Sequence, residues 1–136
     1  MPMQVDIEGR LLLLRRYVDA LVRLVGRSQE EFLEDFDGVG ATKYFLMASM
    51  LCCIDLARGV IAARSLRIPR DFHEVFDVLG EAGFLDSDVV QALRQMDGLR
   101  YRLVQLYWDV EDTEVYAVVT GGLPTLRRFH ELLQAL

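Results

Sequence analysis

The densest collection of reactive side chains is the run Gly98-Leu99-Arg100-Tyr101-Arg102-Leu103-Val104-Gln105-Leu106-Tyr107-Trp108-Asp109. Two arginines and three aromatics crowd one stretch ahead of an acidic turn. A guanidinium grips phosphate or carboxylate with two prongs, and aromatic rings stack on bases or fill a core. At helical spacing Arg100, Val104 and Tyr107 share one face. Composition alone favours packing: arginine stems lie over apolar neighbours, the rings go inward, and Asp109 pairs locally. Elsewhere reactive types are sparse. Cys52 and Cys53 are adjacent, which suits neither a C-x-x-C redox pair nor a zinc knuckle. Neighbouring helix positions diverge by about 100°, so both read as small core hydrophobes. His73 falls beside a helix start and His130 among Arg127, Arg128 and Glu131, so both read as surface residues outside the reactive run. Asp35 and Asp37 read as turn residues rather than an acid/base pair. The sequence holds no P-loop, G-x-G-x-x-G, G-x-S-x-G or H-E-x-x-H.

The elements that must position this run are helical. Leu11, Leu14, Val18, Leu21 and Val25 repeat at three and four residues, one apolar seam on a helix from about Asp6 to Val25, with Gly26 as its stop. Ser28 with Glu31 reads as a capping box for a short helix through Phe36, and Asp37-Gly38-Val39-Gly40 as a turn. A helix from about Thr42 to Ser65 is apolar on most sides, which suits the middle of a bundle or a partner's face. Leu66 to Pro69 is a connector. Asp71 with Glu74 caps a helix that carries Phe72, Val75, Phe76 and Leu79 to near Gly83. Asp86 or Ser87 opens the next, with Leu93, Met96, Leu99, Leu103 and Leu106 as its stripe through about Trp108. Asp112 opens a last helix, which Gly121-Gly122-Leu123-Pro124 interrupts before a new helical piece. No β-alternation or repeat competes. The expected fold is all-α, an up-and-down helical bundle of four to five main helices in one domain over residues 1–136.

The bulk numbers agree. The chain has 136 residues, 52% of them hydrophobic, which supports one buried core. A net charge of −6 argues against a bulk electrostatic grip on nucleic acid. Lys43 is the only lysine, so the cations are arginines suited to a local anion site. The Leu11–Leu14 run is cut by Arg15-Arg16, too short to span a bilayer and without the order of a signal peptide. A cytoplasmic protein is expected. The helices over Thr42–Ser65 and Asp86–Trp108 carry more apolar surface than a monomer needs, so a two-fold homodimer is expected.

Several blocks together resemble the HepT-like HEPN proteins across nearly the whole chain. They are Ile54-Asp55-Leu56-Ala57, Arg67-Ile68-Pro69, Phe72 to Leu79, Gly83-Phe84-Leu85, Gly98-Leu99-Arg100, and Tyr107-Trp108-Asp109-Val110 with Val115-Tyr116. The resemblance implies an all-α homodimer, the toxin half of a HepT–MntA toxin–antitoxin pair, with a small nucleotidyltransferase as partner. The family signature, R-N-x-x-x-H-x-Y, is associated with metal-independent RNA cleavage, so no metal or cofactor is implied. By position Arg100 matches the motif arginine, Tyr101 stands at the asparagine and Gln105 at the histidine. Tyr107 matches the tyrosine that the antitoxin modifies with AMP.

The chemistry of that signature is direct. A histidine exchanges a proton with a ribose hydroxyl or a leaving oxygen, and an arginine holds the phosphate. Helix positions five apart diverge by about 140°, so a cleft between two copies converges them better than one helix does. A glutamine amide exchanges no proton near neutral pH, and losing a general acid/base costs roughly 10²–10⁴-fold. RNA cleavage is therefore expected to be impaired, with Arg100 and Arg102 keeping the phosphate contacts. Asp55 matches an acidic position of the family and is expected to meet Arg100 or Arg102, orienting the motif arginine or forming a plain ion pair. The competing functional reading is a non-catalytic helical binding subunit or dimerisation module for a nucleotidyltransferase.

Overall fold

The computed structural model describes residues 6–136, so the first five residues of the expected domain lie outside the described residues. Six helices follow in order: α1 (Ile7–Val25), α2 (Gln29–Glu34), α3 (Phe36–Ala63), α4 (Glu74–Glu81), α5 (Ser87–Gln105) and α6 (Asp112–Gln134), with a 3₁₀ turn over Tyr107–Asp109. The four long helices α1, α3, α5 and α6 form the bundle, while α2 and α4 bridge between them. α1 packs on α3 and α6, and α5 packs on α6 and α3.

Each boundary has a local cause. Asp6 accepts from the Gly9 N–H at 2.9 Å and opens α1. The seam of α1 turns inward, with Leu14, Val18, Leu21 and Val25 buried. Ser28 and Glu31 form the reciprocal capping box of α2. Phe32, Phe76 and Phe129 are wholly buried, each contributing about 1.5–3 kcal/mol of apolar burial. α4 closes at Gly83, whose φ of +84° is the left-handed conformation glycine adopts without strain.

Three boundaries differ from the sequence reading. Residues 37–40 are not a turn but the first part of α3. Asp35 takes the N-cap role by accepting from the Gly38 N–H at 3.0 Å, and Gly38 and Val39 are buried. Gly121–Pro124 does not interrupt α6, which runs unbroken because Val119, Gly122, Leu126 and Phe129 are buried on both sides of the proline. The packing of that face outweighs the one backbone hydrogen bond a proline removes. α5 stops at Gln105 rather than Trp108, and Tyr107, Trp108 and Asp109 form the 3₁₀ turn, exposed throughout.

α3 is long and apolar enough to cross a membrane, and 56% of its most apolar window is buried inside the bundle. Its burial among α1, α4, α5 and α6 is what a helix apolar on most sides requires.

Candidate functional site

The reactive run occupies the C-terminal half of α5 and the turn after it. Arg100 and Val104 line a cleft of about 610 Å³ between α1, α3 and α5, together with Arg10, Tyr17, Tyr44 and Asp55. The apolar rim of this cleft is open: Tyr44, Leu51 and Val104 are each exposed by half or more.

Arg100 is held from within its own helix. Its Nε donates to Asp97 Oδ1 at 2.6 Å, and the Arg100 side chain is 15% exposed while that of Asp97 is 1% exposed. Among the described residues no other hydrogen bond engages this guanidinium, so its terminal N–H groups are left for an anion at the cleft. The second Asp97 oxygen meets a residue from another segment. His73 Nδ1 lies 2.8 Å from Oδ2, at ion-pair distance but off the hydrogen-bond direction, so Oδ2 is a buried acceptor with no hydrogen bond. Asp97 therefore joins Arg100 and His73 through one carboxylate.

The other expected site residues distribute differently. Asp55 does not reach Arg100 or Arg102. It pairs with Arg10 at 3.4 Å, both side chains about two-fifths exposed, an arrangement worth less than about 1 kcal/mol. Asp55 shares the cleft with Arg100, but Asp97 orients the arginine. Arg102 is not open to phosphate. It donates to both oxygens of Glu114 on α6, at 2.5 and 3.1 Å, and these bonds hold its guanidinium in the charged form. Gln105 is exposed at the last turn of α5. Tyr101 is 49% exposed and Tyr107 68% exposed. Tyr107 stands outside the residues lining the Arg100 cleft, so the expected shared face of Arg100, Val104 and Tyr107 ends at Val104, where α5 gives way to the 3₁₀ turn.

The cysteines are core residues. Cys53 is fully buried, and burial first, then the neighbouring Cys52 and Asp97, pushes its thiol well up. The Cys52 thiol is pushed up to about 11, chiefly by burial, and its Sγ donates to the Arg10 carbonyl at 3.2 Å. Both stay protonated near neutral pH, which removes them as nucleophiles. His130 is partly buried with Nε2 3.0 Å from the Leu11 carbonyl, so it ties α6 to α1 rather than facing solvent. His73 precedes α4 without capping it through its side chain. Phe72 does not belong to the buried stripe of α4. It precedes the helix, 58% exposed, with the Arg58 guanidinium 5.6 Å from its ring centre.

Sequence reasoning missed the link of His73 and Asp97 to the arginine. One signal was present: Asp97 sits on the stripe of Leu93, Met96 and Leu99 three residues before Arg100, where an apolar residue belongs. Nothing in the sequence locates His73 there, because its approach depends on how the connector before α4 docks on α5.

The fold is shared with solved proteins. A HEPN toxin of Shewanella oneidensis, solved as a tri-AMPylated protein in complex with an MNT antitoxin, superposes with a TM-score of 0.89 over 98% of this chain and 100% of that one, at 22% identity. YutE of Bacillus subtilis, described as a cytosolic protein of unknown function, superposes with a TM-score of 0.80 over 98% of this chain and 92% of that one, at 16% identity. In sequence, the tRNA nuclease HepT of Aphanizomenon flos-aquae (strain 2012/KM1/D3) is 27% identical over 119 residues, covering 88% of this chain and 81% of the relative. The model of the ribonuclease HepT-like family matches residues 14–133, nearly all of the bundle and most of the Arg100 cleft, and the chain belongs to that family.

Proposed function

We propose that this chain is the toxin component of a toxin–antitoxin pair, a cytoplasmic single-domain homodimer that acts on RNA and is paired with a nucleotidyltransferase antitoxin. The observation that carries the reading is Arg100, a guanidinium locked by Asp97 at the wall of a cleft with its terminal donors unspent. That geometry suits a phosphodiester, whose developing charge such a donor stabilises. The apolar rim of Tyr44, Leu51 and Val104 suits a second copy across the cleft. Tyr107, two-thirds exposed on the 3₁₀ turn, is the AMP acceptor, and its phenol stands where an enzyme can reach it. Membership of the HepT-like family and the MNT antitoxin bound by the Shewanella relative support the pairing. Cleavage through Gln105 is impaired, since its amide carries no exchangeable proton for catalysis. Tyr101, at the motif asparagine, offers a ring where that amide would sit.

The test is co-expression with a nucleotidyltransferase antitoxin of the MntA type, followed by ATP-dependent labelling. Label on the native chain that disappears in Tyr107→Phe is expected. Absence of both a complex and a label overturns the pairing.

One observation favours a second reading, that of a non-catalytic subunit docking a nucleotidyltransferase. Gln105 is neutral and Arg102 is committed to Glu114, so two of the expected RNA-facing groups are spent. An antitoxin complex that forms while the toxin, even as Gln105→His, cleaves no RNA supports this alternative.

A further inference from the structure

The histidine that the motif position lacks has a counterpart elsewhere in this chain. His73 and Arg100 sit on the two oxygens of one buried carboxylate, 2.8 Å and 2.6 Å away. Along α5, Asp97 is about 4.5 Å before Arg100 and Gln105 about 7.5 Å after it. His73 thus meets α5 at Asp97, on the N-terminal side of Arg100, while Gln105 lies on the C-terminal side.

The arrangement has the features of a poised base. Asp97 Oδ2 lies 2.8 Å from Nδ1, which leaves Nε2 as the ring nitrogen on the edge away from that carboxylate. The His73 side chain is 47% exposed, so the imidazole is accessible to a substrate while its Nδ1 edge lies against Asp97. The aspartate is fully buried and has an oxygen with no hydrogen bond, a costly state for a fold to keep. The other charges around His73 are spoken for. Glu74 is bound by Arg67 and Arg70, Asp71 caps the Glu74 N–H, and Arg58 of α3 lies over the Phe72 ring. From α5 the imidazole meets Asp97, the carboxylate that also holds Arg100.

We propose that His73, held by Asp97 beside Arg100, is the proton-transfer residue through which this chain retains RNA cleavage; this rests on the ribonuclease reading above. Nε2 takes the proton from a ribose 2′-hydroxyl as O2′ bonds to the adjacent phosphorus. The P–O5′ bond breaks, and O5′ leaves with a proton from water. The hydroxide so formed takes the proton back from the imidazolium. The products are a 2′,3′-cyclic phosphate end and a 5′-hydroxyl end, with no oxidant or metal in the balance. Arg100 binds the phosphate oxygens, and Asp97 is a positioning residue.

The experiment measures cleavage of a mixed RNA pool, with end-group analysis, by the native homogeneous protein, His73→Gln, Arg100→Ala and Gln105→His, each checked for an unchanged thermal melt. The expected result is slow native cleavage to cyclic-phosphate ends, lowered roughly 10²–10⁴-fold in His73→Gln. The acidic limb of the native pH–rate profile should vanish in that variant, which a structural role would not cause. Native cleavage that Arg100→Ala abolishes and His73→Gln leaves intact overturns the proposal and spares the ribonuclease reading. Cleavage by Gln105→His alone also overturns it, and leaves an impaired toxin. No cleavage by any of them overturns both.

Discussion

Asp97 and Arg100, three residues apart on α5, form an ion pair of 2.6 Å in which the carboxylate is wholly buried and the guanidinium is largely so. Removing the carboxylate strands a charge in a place water barely reaches. Asp97→Ala should therefore lower the unfolding free energy by about 3–5 kcal/mol in a urea titration, the cost of breaking a buried pair. Arg10→Ala, which breaks the half-exposed pair to Asp55, should cost less than about 1 kcal/mol. Equal losses would mean that the two pairs are equally wet, against the burial that separates them.

Much of this was legible in the sequence, and the misses have physical causes. The seam of α1 and the Ser28–Glu31 box follow from local spacing, so both were readable. Gly38-Val39-Gly40 and Pro124 carry breaker signals worth about 1 and 3 kcal/mol in a helix interior. Tertiary burial of Val39, Val119 and Leu126 outweighs such local signals. Arg100 stands out by motif position, and it lines a cleft between α1, α3 and α5. An aspartate in an apolar helix needs a partner, which the sequence suggests is Arg100 or Arg102, but Arg10, on another helix, supplies it for Asp55. His73 and Asp97 lie on different segments, and only docking of the connector on α5 brings them together.

The clamp of Glu114 on Arg102 makes a claim about RNA affinity. A guanidinium already bonded to both oxygens of a carboxylate adds little to a phosphate contact. Arg102→Ala should leave RNA affinity within about twofold, and Glu114→Gln should raise it and steepen its salt dependence by about one phosphate contact. Filter binding at several salt concentrations measures this. A marked loss of affinity in Arg102→Ala would show that RNA displaces Glu114.

Acid stability has a definite sign. The Arg67 hydrogen bond, helped by Arg70, holds the Glu74 carboxyl below its ordinary range, and Arg67 does the same to Glu81. The Gly38 N–H, then Arg27, lowers Asp35. Carboxyls depressed in the folded state take up protons first in the unfolded chain. Their contribution is full above the ordinary carboxylate range and drains away as pH falls through the lower folded values. The melting temperature should be level from pH 7 to about 5 and fall below about pH 4. Glu81→Gln should lower it at pH 7 and flatten the acid slope. A variant slope identical to the native one would show that Glu81 contributes nothing to acid sensitivity.

Pro124 stands twelve residues into α6, on its exposed side, and its ring cannot donate to the Thr120 carbonyl. The buried residues on either side keep the helix continuous through it, so the missing hydrogen bond is a cost the packing absorbs rather than a boundary. Pro124→Ala restores the donor and removes the steric conflict with the preceding turn. Alanine is favoured over proline inside a helix by about 3 kcal/mol, and the looser unfolded chain gives back up to about 1 kcal/mol. The variant should therefore be more stable by on the order of 1–2 kcal/mol, read as a higher urea midpoint at unchanged slope. A lower midpoint would show that α6 is built around the proline, with the Thr120 carbonyl satisfied by another donor.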